Sequence, residues 1–199
     1  MNSITDNRGS VAVSAGQPSA AMTLLRSGGI VLAGTALIAV SAHVAVPLWF
    51  TPVPITLQPL AVILLGLLLS PRLALATMVT YLAEGAAGLP VFTPTGPGGL
   101  LQLFGPTGGY LLSYPVVAPL VSVLLRRGNT TFSRGVVAAG LGSLVNLGMG
   151  AIWFALFTHT PAGIVLSHAV LPFLPGDVLK VTAAAGIAAG AARFRKQNS

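Results

Sequence analysis

Apolar stretches long enough to cross a bilayer follow one another along this chain, and basic residues occur almost only at the breaks between them. That pattern leaves few folds available. A hydrocarbon core about 30 Å thick needs about 20 predominantly apolar residues per helical span, and the backbone polar groups inside it have to be satisfied within the segment. Only 7% of the 199 residues are charged and 54% are hydrophobic, with a mean hydropathy of +0.87. An ordinary soluble domain is about 25% charged. No water-soluble surface can be built from this composition, and the expected class is an all-α integral membrane protein.

Spans are expected at about 23–46, 57–70, 72–89, 107–126, 135–157 and 173–193, six in all. The charges test that count. With both termini cytoplasmic, the inner segments carry Arg8 and Arg26; Arg72; Arg126, Arg127 and Arg134; and Arg193, Arg195 and Lys196, which is nine of the ten basic residues. The outer connections, around 47–56, 90–106 and 158–172, carry none. The positive-inside rule asks for this asymmetry, and five or seven spans would break it. Topology and the anionic inner leaflet therefore account for the net charge of +7, and nucleic acid is not an expected partner. Residues 1–22, rich in Ser, Ala, Gly and Asn, read as a disordered cytoplasmic tail without the apolar core of a cleaved signal; 23–193 form the membrane domain; 194–199 form a basic cytoplasmic tail. The absence of cysteine excludes disulfides, iron–sulfur clusters and thiol catalysis.

Lys180 is the basic residue that breaks the pattern, and Asp177 lies one helical turn before it inside an apolar stretch. A charge in a span costs about 2.5–3.5 kcal/mol on insertion scales. At about 1.5 Å per residue, Asp177 lies roughly 24 Å from Arg193, and Glu84 roughly 18 Å from Arg72. All three intramembrane charges thus fall in the outer half, where a solute site would open outward. The segment Gly88 to Gly109 is unusual in another way: eleven of its 22 residues are Gly or Pro, yet it is also rich in Leu and Phe. A loop of that kind is expected to fold back on the protein as a lid, because irregular backbone at membrane depth is tolerated where it is buried or lines a cavity.

The runs Thr51-Pro-Val-Pro-Ile-Thr-Leu-Gln58, Gly85-Ala-Ala-Gly-Leu-Pro-Val-Phe92, Gly105-Pro-Thr-Gly-Gly-Tyr-Leu111 and Pro175-Gly-Asp-Val-Leu-Lys180 closely resemble the BioY family, the biotin-specific substrate-binding (S) components of energy-coupling-factor (ECF) transporters. The resemblance covers about 23–193, with four motifs in the same order. It implies six membrane helices with both termini cytoplasmic, in a multi-pass protein of a prokaryotic cytoplasmic (inner) membrane. It also implies high-affinity capture of biotin near the outer face, and import that depends on a transmembrane coupling (T) component and ABC-type ATPases. The chain itself has no G-x-x-x-x-G-K-[ST] phosphate loop, so ATP would be used by partner subunits, and no cofactor is expected.

Residue by residue, each chemical reading has a plainer one beside it. Asp177 and Lys180 could be a self-neutralising i,i+3 pair, with Asp177 also suited to a helix start. A lysine in a first turn opposes the helix dipole, however, which favours a ligand role. The carboxylate can accept from the ureido N–H groups of biotin, and the ammonium can donate to the ureido carbonyl or reach the valerate carboxylate. Gln58, a buried amide that needs partners, is a ligand contact or a loop-packing group. Glu84, with Tyr81 one turn below, is a pocket support or an outer-rim residue. Tyr110 can stack on the thiophane ring or donate its hydroxyl, beside a helix start suited to a carboxylate. Asn146 is either a pocket group or an interhelical bond, and Gly98 and Gly99 either touch the ligand or belong to the lid. Gly88, Pro90, Phe92, Gly105, Thr107 and Gly108 complete the lid. Small residues recur on spans one and six; Thr35 and Ala39 are a candidate pair for T-component docking, with packing inside the chain as the alternative. Trp49 and Trp153 read as interface anchors or core aromatics.

His43, His159 and His168 lack metal-ligand spacing, and no metal is expected. Ser143 has no paired base in the sequence, which argues against an intramembrane serine protease; the chain is not expected to be an enzyme. The rival to an S component is a self-sufficient proton-coupled carrier of biotin or another small vitamin, working through Glu84 or Asp177. Acids in spans are common proton relays, but no internal repeat of the kind such carriers often show is visible here.

Overall fold

The computed structural model describes residues 19–127 and 131–197, the side chains of Arg195 and Lys196 excepted. Most of the expected tail at 1–22 lies outside these residues. Eight helices and one hairpin make up the rest: α1 (Ala20–His43), β1 (Ala45–Leu48), β2 (Thr51–Thr56), α2 (Gln58–Leu68), α3 (Pro71–Ala86), α4 (Gly99–Leu103), α5 (Gly108–Arg126), α6 (Phe132–Thr158), α7 (Ala162–Ala169) and α8 (Leu174–Gln197). Local chemistry sets several boundaries. Ser19, Ser70 and Thr131 each turn a side-chain oxygen onto a first-turn amide, satisfying donors that the helix cannot. Proline opens α3 directly after its cap, where the missing N–H costs nothing.

Three helices are long and apolar enough to cross a membrane: α1, α5 and α6. A fourth crossing exists if α7 and α8, bent by 48° across their break, are taken as one. Helices α1, α2, α3, α5, α6 and α8 overlap the ranges of the six expected spans, with unequal reach. The second, α2, has 11 residues, roughly 16 Å at about 1.5 Å per residue. Its entrance is not helical because the sequence before it is Thr-Pro-Val-Pro-Ile-Thr, which forms a strand. That strand pairs antiparallel with β1, Ala45 opposite Thr56 and Leu48 opposite Thr51, where an open connection was expected. Pro52 sits on the exposed side of this two-stranded ribbon, as an edge requires. The loops at 90–106 and 158–172 likewise carry the short helices α4 and α7. At the other end α8 runs on as helix to Gln197, into the stretch expected to be a tail.

The helices pack α5 on α6, α3 on α5, α8 on α6 and α2, with α1 outside against α3 and α2. A continuous core of Val62, Ile63, Met78, Val117, Val121, Ala139 and Ala184 fills the middle. Glycine in α6 permits two of these approaches. Gly142 faces Val121 of α5, and a Cβ at Gly135 would lie 3.2 Å from that of Ala185 in α8. The small residues flagged on the last helix divide: Ala184, Ala185 and Ala188 are buried, whereas Gly186 and Gly190 meet nothing. Arg26, Arg72, Arg126, Arg127, Arg134 and Arg193 are all exposed. They lie at the starts of α1, α3 and α6 and near the ends of α5 and α8, which form one end of the bundle. The hairpin, α4 and α7 cluster at the other.

Candidate solute-binding site

At the end away from the arginines, a cleft of about 520 Å³, counted out to its open mouth, is lined by β2, the start of α2, the 88–109 segment, the first half of α5, α6 and the start of α8. Its walls are mostly apolar and aromatic: Val53, Tyr110, Leu111, Tyr114, Leu147 and Phe173. Set into them are Thr56, Gln58, Thr93, Gln102, Thr107, Asn146, Asp177 and Lys180. A mostly apolar wall with a few convergent polar groups is what orients a small solute.

Asp177 and Lys180 are buried and bonded to each other, Lys180 Nζ donating to Asp177 Oδ1 at 3.2 Å. The second carboxylate oxygen, Oδ2, accepts from Ser143 Oγ of α6 at 2.6 Å. Ser143 is thus the nearest neighbour of the acid, a relation the sequence does not reveal because 34 residues separate them. An ammonium has three donors, and one is committed among the described residues, so Lys180 retains capacity toward the cleft. The two are therefore a mutual brace, and both line the cavity.

Gln58 opens α2 and is buried. Its Nε2 donates to the Tyr81 hydroxyl at 2.6 Å, and its Oε1 accepts from Thr56 Oγ1 at 3.4 Å. Asn146 Oδ1 accepts from Ser113 Oγ at 2.8 Å. Tyr110 donates its hydroxyl to the Ala169 carbonyl, so the phenol is engaged in tying α5 to α7. Its ring faces the cleft, tilted against Phe173 with centroids 6.2 Å apart, and sits over Gly150, where any Cβ would collide with it.

The 88–109 segment folds back as its composition suggests. Phe92 and Thr93 are buried, and the Phe92 ring packs on Gly85 and edge-on to Tyr81 at 5.5 Å. Gly98 and Gly99 adopt φ of 70° and 59°, a left-handed pair that side chains disfavour. They contribute backbone rather than cleft surface: the Gly98 N–H donates to Gln102 Oε1 at 3.0 Å, holding Gln102 inward. Trp153, one of the two flagged tryptophans, donates Nε1 to the Gly105 carbonyl at 2.8 Å and so pins the far end of the segment to α6. Trp49 is almost wholly exposed. Of the lid residues, Thr107 reaches the cleft lining, while Gly88, Pro90, Gly105 and Gly108 shape the backbone around it.

Glu84 lies outside the lining. It is half-buried and accepts from Thr35 Oγ1 at 3.2 Å, which turns Thr35 into the bundle; Ala39, one turn on, is half-buried against the core. The α1 face that remains outward is formed by residues such as Leu32, Leu37 and Val40. Gln102, Tyr114, Thr93 and Phe173 belong to the lining without having been singled out. Tyr114 sits one turn after Tyr110, a spacing that puts both on one helix face, and that signal was available in the sequence.

The BioY family model matches residues 15–197. This chain belongs to the BioY family. Among its relatives, the biotin transporter BioY2 of Lactococcus lactis is 35% identical over 158 residues, covering 79% of this chain and 85% of the relative. The biotin transporter BioY of Thermotoga maritima is 36% identical over 157 residues, covering 77% and 88%, and that of Rhodobacter capsulatus 36% over 163, covering 76% and 84%. A crystal structure of the S component for biotin from an ECF-type ABC transporter superposes with a TM-score of 0.77 at 28% identity, covering 87% of this chain and 93% of the other. The fold of this BioY member is therefore that of an S component, and the relatives it matches are transporters rather than enzymes.

Proposed function

We propose that this chain captures biotin and serves as the biotin-binding S component of an ECF-type transporter. The observation that carries the proposal is the meeting of Asp177, Lys180, Gln58 and Asn146 in one cleft. A ureido group has two N–H donors flanking a carbonyl. Asp177 can accept from the former, and Lys180, with donors to spare, can serve the latter or the valerate carboxylate. The rings of Tyr110 and Tyr114 offer flat apolar surface to the thiophane ring. Charge-assisted bonds of this kind are stronger in a dry site than in water.

The same proposal includes six membrane crossings with both termini cytoplasmic, in a prokaryotic inner membrane. The arginines at the end opposite the cleft support it, since basic residues favour the cytoplasmic side; the cleft would then face outward. α2 and α3 would complete their crossings together with the hairpin and the loops, where backbone is bonded or buried. Movement of biotin across the membrane would depend on a T component and ATPase subunits, with the outward apolar face of α1 as the docking surface.

Equilibrium biotin binding to the purified chain tests this reading. Asp177→Asn and Lys180→Ala are each expected to weaken binding at least about tenfold, a loss of roughly 1.4 kcal/mol. A folded wild-type chain that binds no biotin would end the proposal. Proteoliposomes containing this chain alone are expected to show no pH-gradient-driven uptake; robust uptake would favour the proton-coupled carrier.

A further inference from the structure

Tyr81 of α3 is fully buried and lies outside the cleft lining, yet its phenol oxygen joins the cleft to the lid. It donates to the backbone carbonyl of Val91 at 2.8 Å and accepts from Gln58 Nε2 at 2.6 Å. Chemistry fixes the sense of these bonds. A carbonyl can only accept, so the single phenol proton goes to Val91. Only lone pairs then remain for Gln58, which has to meet them with its NH₂ rather than its oxygen. The far side of the amide agrees, because Thr56 donates to Gln58 Oε1 at 3.4 Å. Left to itself, a glutamine could turn either end toward a solute. Here a backbone carbonyl of the lid dictates, through one phenol, which end faces where. The second Nε2 proton is left for the cleft.

The phenol also holds the lid where it matters. Thr93, two residues after Val91, lines the cleft. Phe92 between them packs edge-on to the Tyr81 ring at 5.5 Å. Bonds in series polarise one another, each strengthening the next in a low-dielectric interior.

We propose that Tyr81 is a positioning residue: it sets the donor orientation of Gln58 and anchors the 91–93 stretch of the lid, so that the residence time of biotin depends on a hydroxyl that never touches it. This inference rests on the biotin reading above. Tyr81→Phe removes the hydroxyl and keeps the ring. Biotin should dissociate at least about tenfold faster from it, with association within about threefold of wild type, since effects within one site fall mostly on dissociation. Gln58→Ala should act similarly, and the double variant should be no worse than the worse single one, because the two act as a unit. In the ligand-free protein, amide hydrogen exchange at residues 91–96 should rise in Tyr81→Phe and stay unchanged in Gln58→Ala. Gln58→Glu supplies an arm that leaves Tyr81 in place. Its carboxylate competes with Val91 for the phenol proton, and exchange at 91–96 should rise there too. Unchanged dissociation in folded Tyr81→Phe, or losses that multiply in the double variant, would overturn the positioning role. Unchanged exchange in Tyr81→Phe and Gln58→Glu would overturn the anchor. A wild-type chain that binds no biotin would sink the functional reading instead, and the exchange measurements would then decide the anchor alone.

Discussion

The two ends of this bundle are built from the same helices and share almost nothing else. At one end a short turn joins α2 to α3, α5 ends and α6 begins, and all of the described arginines are exposed. At the other, the chain spends its residues on a hairpin, two short helices and a glycine–proline loop, and there it buries an acid, an amine and three amides. Exposed arginines at helix ends cost little, but they enclose nothing. Irregular backbone provides concavity, and its own polar groups need internal partners. Trp153, Tyr81, Tyr110 and Gln102 supply such partners to Gly105, Val91, Ala169 and Gly98. The cleft lies where the backbone was hardest to satisfy.

The contrast can be broken most forcefully at the charged pair. Lys180→Ala leaves Asp177 buried with Ser143 as its only described partner. Stability is expected to fall by about 3–5 kcal/mol, as when one partner of a buried pair is removed, which thermal unfolding in detergent would register. The double variant Asp177→Asn/Lys180→Met should recover much of that stability and still fail to bind biotin. If it bound normally, the pair would be a brace and no more.

Packing beneath the lid comes next. A Cβ at Gly109 would strike the Trp153 side chain and lie 2.8 Å from the Met149 carbonyl. Gly109→Ala should therefore cost about 1–3 kcal/mol, the usual penalty of overpacking, seen as a lowered unfolding midpoint. Trp153→Phe removes one hydrogen bond and leaves the Gly108 N–H, at 3.0 Å, as the remaining described partner of the Gly105 carbonyl. A smaller loss of about 1 kcal/mol is expected, with faster exchange around residue 105. Smallest of all, Arg134→Gln at the opposite end should change biotin affinity by less than about twofold, since exposed charges more than a Debye length away, about 8 Å, are screened. A large effect there would mean that the two ends are coupled.

Much of this was legible before any coordinates. A lysine in an apolar span is too costly to lack a reason, and Asp177, Lys180, Gln58, Tyr110 and Asn146 do converge on one cleft. Helix rise gives a distance along the helix for Glu84 but not its azimuth, and azimuth decides: Glu84 faces Thr35 of α1 rather than the cavity. The small residues of α1 and α8 had the same weakness, because spacing identifies a smooth stripe without saying what lies against it. Gln102 and Thr93 were out of reach for a different reason. They sit in a segment without periodicity, and what turns them inward is a left-handed glycine pair and the seat of Phe92 on Gly85. The hairpin was hidden by its prolines, which read as a turn until the exposed edge that tolerates Pro52 is seen.

The shortness of α2 has a consequence of its own. A helix of 11 residues reaches about 16 Å, and a bilayer interior measures about 30 Å. The cleft begins where α2 begins, so a molecule that enters completes only part of a crossing before it meets the solid packing of Val62, Leu65, Val117 and Val121. The chain is a receptacle with a sealed floor and not a conduit. Whatever carries a passenger onward has to displace the walls themselves.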